Sequence, residues 1–301
     1  MNFKKGVLIL LLTMLTSNIC LSQEWMTSLE AAKRTALVQD KFLFMIWEEA
    51  ASIPYPAIMN DTDGNEILFD DLFKNEEITR IIWKYFVPVK VDENLYRELY
   101  NEIKDTKSRS YMLQFEDDNI KIMDPNLNIV NTSFSPEAYF NLSQFITNYG
   151  LSTSYLNAEL RNYSEHKNFG TAYRLASKYM DYAILVNQKT RKDIVNLSLR
   201  YLDDAERYLL TDSINGTKHF EDKISLLRWS QYLLQNRPKK VLRLLRRFDV
   251  TEIDETTESL LAFVYYTAYQ LRKDEKNSEL WKSKVSLVNV RKAQLITNLH
   301  F

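Results

Sequence analysis

Ser52-Ile53-Pro54-Tyr55 holds the side chains best placed for chemistry in this 301-residue chain. A hydroxyl and a phenol flank a stiff Ile-Pro pair, just after the apolar run Phe42-Leu43-Phe44-Met45-Ile46-Trp47. A serine attacks as a nucleophile only with a base beside it. The three histidines, His166, His219 and His300, all fall in the second half of the chain or its tail. A serine hydrolase is therefore not the reading, and Ser52 and Tyr55 are expected to cap and pack the start of the following helix or loop. Glu48-Glu49 and Glu116-Asp117-Asp118 are candidates for an acidic mouth at one end of a sheet. On 238–248, Lys239, Lys240, Arg243, Arg246 and Arg247 interleave with Val241, Leu242, Leu244 and Leu245. That spacing reads as a core stripe with a solvated basic face, and an acidic partner docking there is the alternative.

The elements that must position these residues change character midway. Ser28 precedes a helical pattern with apolar residues at Leu29, Ala32, Ala36 and Leu37. Phe42–Trp47 follows as a strand, and Asn75 caps a helix over 76–83 whose acidic first turn suits the helix dipole. Tyr85–Asp92 reads as a second strand and 94–104 as a short helix. The segments 119–124 and 128–130 read as strands joined at Pro125-Asn126-Leu127, and Pro136 opens a helix running through Ile146. Strands spaced by helices predict a mixed sheet covered by helices. From about residue 151 strand signals stop, and helical patterns occupy 155–165, 168–185, 189–210, 218–235, 238–247, 254–273 and 277–297. Grouped as three hairpins, they resemble a degenerate tetratricopeptide-type array. Asp61-Thr62-Asp63-Gly64-Asn65-Glu66 resembles the opening of a calcium loop, but such a loop needs glycine sixth and glutamate twelfth. Glu66 and Leu72 stand there instead, so a solvated turn is expected and no metal.

The first half resembles the thioredoxin family. Phe44–Ala51 is similar to the strand and aromatic turn before its active site, Ser52 falls at the nucleophilic cysteine and Tyr55 at the resolving one. Phe86–Asp92 is similar to the family's next strand with its terminal aspartate, and 119–128 to the segment entering the final hairpin. The resemblance implies an α/β thioredoxin-like domain over 23–150, followed by an all-helical, tetratricopeptide-like domain over 151–301. It also implies a groove formed by Trp47, Tyr55 and Asp118. Two departures count: Asp118 stands near the cis-proline position, where a trans bond is expected, and Leu127 occupies a turn position usually held by glycine. Thiol–disulfide exchange needs a thiolate, and a serine hydroxyl cannot replace it.

Residues 1–22 read as a secretory signal: Lys4 and Lys5 precede the short apolar core Val7–Leu15, and small residues at Cys20 and Ser22 predict cleavage before Gln23. Lipid anchoring at Cys20 is the less favoured alternative, because Ile19 fits poorly before an acylated cysteine. Cys20 is the only cysteine, so the mature chain has no disulfide to rely on. Thirty-nine Lys and Arg against 40 Asp and Glu give no basic excess for nucleic acid. The reading is an exported, periplasmic or secreted, redox-inactive module of bacterial-envelope type without cofactor, binding a protein or peptide as scaffold or chaperone. A divergent thiol–disulfide oxidoreductase or a lipid-anchored envelope component are the alternatives. Insulin-reductase activity of the unaltered chain should stay at background, and restoring Ser52→Cys with Tyr55→Cys should raise it only weakly. High activity without those cysteines would overturn the redox-inactive reading.

Overall fold

Six consecutive apolar residues make β1 (Phe42–Trp47), and their alternation sends side chains into two separate clusters. Phe42, Phe44 and Ile46 enter one, and Leu43, Met45 and Trp47 the other, so the strand is buried on both faces. The computed structural model describes residues 24–133, 139–211, 218–249 and 253–301. The other strands are β2 (Ala57–Asn60), β3 (Glu66–Phe69), β4 (Phe86–Val91), β5 (Lys121–Met123) and β6 (Phe140–Asn141). β1 pairs in parallel with β4 and antiparallel with β5, while β2 lies between antiparallel β3 and parallel β6. Helices α1 (Leu29–Gln39), α2 (Glu76–Tyr85), α3 (Glu93–Ile103), α4 (Arg109–Glu116) and α5 (Leu142–Tyr149) complete the first half. Ser28, Asn75, Asp92, Ser108 and Asn141 each cap one of them with a side-chain oxygen.

The second half is helical throughout its described residues. It contains α6 (Asn157–Glu165), α7 (Phe169–Leu185), α8 (Gln188–Thr211), α9 (Lys218–Leu234), α10 (Pro238–Leu245), α11 (Glu255–Leu271), α12 (Glu275–Lys282) and α13 (Leu287–Asn298). Each expected helical segment is met by a helix, except that 277–297 divides in two, where Ser286 caps α13. Three expectations are corrected in the first half. A hairpin, β2–β3, occupies 57–69, where no strand was expected. The segment 128–130 contributes a single bridge, Met123 to Ile129, in place of a strand. The helix through Ile146 begins only at Leu142, because Phe140-Asn141 pairs with β2 and Asn141 then caps the helix. The signal segment 1–22 with Cys20, the residue Pro136 and the expected loop 212–216 lie outside the described residues. No described helix is long and apolar enough to cross a membrane.

The two halves share one apolar cluster, which runs from Phe42 to Ile296. Buried polar bonds tie them as well. The Asp124 carboxylate, fully buried at the end of β5, accepts from Tyr179 Oη at 3.0 Å and from Tyr201 Oη on α8. The backbone N–H groups of Asn126 and Asn128 also donate to it, each at 3.0 Å. Asp193 accepts from Tyr149 Oη at 2.8 Å and from Thr132 and Ser133, while Asp204 pairs with Lys107 at 3.5 Å and accepts from Tyr163 Oη of its own half at 3.1 Å. Asp193, Arg200, Tyr201 and Asp204 share one face of α8, so the face turned to the first half is polar yet buried. Asn157 of α6 in turn donates to Leu37 O and to Asp40, closing the C-terminal end of α1.

Removing the Asp124 acceptor would strand three buried donors and one part-buried one, at roughly 1–3 kcal/mol for each that finds no replacement. Asp124→Ala should therefore cost about 3 kcal/mol or more in urea unfolding, and Asp124→Asn about 1 kcal/mol, since the amide can still accept and donate there. A loss under about 1 kcal/mol for the alanine variant would refute this. Burial raises the Asp124 carboxyl despite its four donors. A raised carboxyl adds stability that is complete below the ordinary aspartate value of about 3.9 and is lost as pH rises through the raised one. The unaltered chain should therefore gain on Asp124→Asn as pH falls through that window.

Candidate functional site

β1 ends at Trp47, where Glu48 N donates to Val91 O at 2.9 Å and the chain leaves the sheet. A single 3-10 turn, Ala50–Ser52, follows. Ser52 Oγ is spent on Glu49 O at 2.6 Å. None of the three histidines serves it: His300 Nε2 meets Leu233 O, His219 packs on Phe220, and His166 ends α6. Ile53 is 67% exposed, at the tip of the loop. Pro54 follows it, also exposed. Tyr55 turns inward instead, its ring 5.4 Å from Phe73 and 5.7 Å from Phe140. Burial raises its phenol above the ordinary value, and the charge of Asp117 adds to the effect. Ser52 and Tyr55 thus face different surroundings. No helix follows them: Leu72 N donates to Tyr55 O and the chain enters β2.

Trp47 and Asp118 do come together. They line a groove of about 230 Å³ with Val91 and Tyr96, rimmed by Glu48, Glu49, Glu93 and Glu116. Tyr55 does not line it. Trp47 is itself core: Nε1 donates to Phe115 O at 3.2 Å and to Asp117 O at 3.1 Å, and its ring meets Tyr96 and Phe115 edge-on. The rim is shaped by Lys121, whose side chain is 2% exposed. Its ammonium bonds Asp117 at 3.1 Å and Asn119 O at 3.0 Å, and lies 5.2 Å from the Trp47 ring. Burial lowers the Lys121 pKa, against the opposing pull of Asp117. With Asp117 drawn inward, Glu116 and Asp118 are left facing the groove. Glu93 reaches Arg97 at 3.7 Å, and the other rim carboxylates form no ion pair among the described residues.

A second feature sits on the β2–β3 hairpin. Asp61 Oδ1 accepts from the N–H groups of Asp63 and Asn65, and Gly64 takes φ +88, a conformation open to glycine. Asp61 is consumed by this turn, in which Asp63-Gly64 between apolar runs is the hairpin signal that sequence reading passed over. Asn60 N bonds Ser143 Oγ away from β3, and Asp61 N bonds Asn65 O across the hairpin. Alternation then points the backbone groups of Ile67 and Phe69 at β2 and those of Glu66 and Leu68 outward. The main sheet, in contrast, has both edges covered: Met26 exchanges bonds with Pro88 and Lys90, and Val130 N donates to Ile122 O. Among the described residues no strand pairs with this outer side of β3, where Ile67 and Leu68 are 42% and 57% exposed.

If Trp47 is structural, Trp47→Phe should cost about 1–2 kcal/mol in urea unfolding for the two lost bonds, and an unchanged midpoint would refute it. No protein-family model, curated protein or solved structure matches this chain.

Proposed function

We propose that this chain is a non-catalytic, redox-inactive binding module of thioredoxin-like and tetratricopeptide-like build, working after export, which captures an extended segment of a partner protein by strand addition to β3. The observation that carries the proposal is the open β3 edge, with outward backbone groups at Glu66 and Leu68 beside two exposed apolar side chains. Soluble folds blunt or cover such edges, and the main sheet of this chain does so on both sides. An uncovered apolar edge is the geometry that recruits a strand from another chain, with main-chain bonds giving affinity and alternate side chains giving specificity. Along the edge, Leu68 lies between Glu66 and Asp70. Direct antiparallel pairing of two copies through Leu68 would set Glu66 opposite Asp70, an unfavourable like-charge pair. The charge pattern suits a different partner, an apolar residue flanked by lysine or arginine two positions away on each side. The thiol-free turn at Ser52–Tyr55 supports the absence of redox chemistry.

The peptide Lys-Val-Val-Val-Lys, titrated by fluorescence anisotropy, tests this. Leu68→Pro should weaken its binding at least tenfold while leaving the melting temperature nearly unchanged, since the lost N–H faces outward and bonds no strand. N-methylation of the central valine should have the same effect. Equal binding by the variant, or by the methylated peptide, would exclude strand addition.

A further inference from the structure

A wide recess belongs to neither the acidic groove nor the β3 edge. It lies where α3 and α4 of the first half face α6 and α8 of the second, and encloses about 750 Å³. A side recess of about 180 Å³ opens beside it, and Lys107, Tyr111, Asp204 and Arg207 line both. A cleft of this size, with apolar and charged walls that meet, has the volume of a small-molecule site.

The side recess is electrostatically lopsided. Lys107, Arg200 and Arg207 face it together with Asp203 and Asp204. Asp203 is taken by Arg228 at 2.7 Å. Asp204 is shared between Lys107 at 3.5 Å and Arg207 at 2.8 Å. Arg200 forms no ion pair among the described residues: its guanidinium lies 4.7 Å from the Tyr111 ring and donates to Ile129 O. Lys107 and Arg207 thus share one carboxylate, while the buried carboxylates of Asp124 and Asp193 act on Arg200 through space. Burial disfavours the charged forms of both Lys107 and Arg200, and a further counter-charge in the recess would favour them. Ser108, which caps α4, stands on the same wall, so the positive end of that helix adds to the field. The wide recess differs. Leu99, Ile103 and Leu127 supply apolar wall, Glu30 is paired with Lys33 at 2.7 Å, and Glu98 and Glu102 would repel an anion from the α3 side.

We propose that this cleft binds a small amphipathic oxyanion, its apolar body against Leu99, Ile103 and Leu127 and its phosphate or carboxylate head between Lys107, Arg200 and Arg207. Guanidinium groups favour such planar or tetrahedral oxyanions through paired N–H donors. The site is separate from the β3 edge, so either can fail without the other.

Isothermal titration of the full chain with octyl phosphate, octanoate, octanol and inorganic phosphate tests it. Octyl phosphate should bind with one equivalent, and octanol and inorganic phosphate each at least tenfold more weakly. Octanoate matching octyl phosphate would assign carboxylate ligands, and octanoate binding weakly would assign phosphates. Arg207→Gln should weaken octyl phosphate at least tenfold. Leu99→Trp, which fills the wide recess without touching the cations, should do the same and serves if the first variant melts early. Absence of binding by both anions, octanol binding as tightly as octyl phosphate, or undiminished binding by the folded variants would overturn the assignment.

Discussion

The fully buried carboxylate of Asp124 receives two tyrosine hydroxyls from the helical half and two backbone N–H groups from its own turn. The geometry of the turn follows from these bonds. Leu127, at φ +66, sits where a side chain is normally unwelcome, and it stays there because Asp124 gathers the N–H groups on both sides of it. The turn sets the end of β5, β5 sets its register on β1, and Lys121 within β5 draws Asp117 inward. The outward stance of Glu116 and Asp118 on the acidic rim is thus the far end of a chain of contacts that begins at α7 and α8.

This dependence explains which parts of the fold could be read from residues alone. The six-residue apolar run of β1, the capped helices and the switch to helical spacing near residue 151 are local signals, and they place most elements correctly. The acidic mouth was legible as two clusters, because both flank strands that end on the same side of the sheet. The partition of Ser52 and Tyr55 was not legible, since the inward turn of Tyr55 depends on Phe73 and Phe140, and Phe140 lies far along the chain. Asp193 and Asp204 look like solvated residues on an amphipathic helix. Only their partners Tyr149 and Tyr163, on other helices, make them interior. The recess around Lys107 was hidden for the same reason: its walls come from segments about a hundred positions apart, and no spacing rule joins them.

The binding surfaces follow from what the fold leaves unfinished. The main sheet closes both edges with short backbone exchanges, so its central strand serves as scaffold. The β2–β3 hairpin has one side unpaired among the described residues. The loop at Ser52–Tyr55 forms the root of the hairpin, tied by Leu72 N to Tyr55 O.

The long reach of the Asp124 bonds also sets an order of events during synthesis. Its two tyrosine partners lie 55 and 77 positions further along the chain. At ordinary elongation speeds the second of them is made roughly 4–15 s after Asp124 itself. Until then the carboxylate stays hydrated. The Asp124 site is thus completed only once α7 and α8 have been made, although β1 pairs with β4 and β5 within the first half alone.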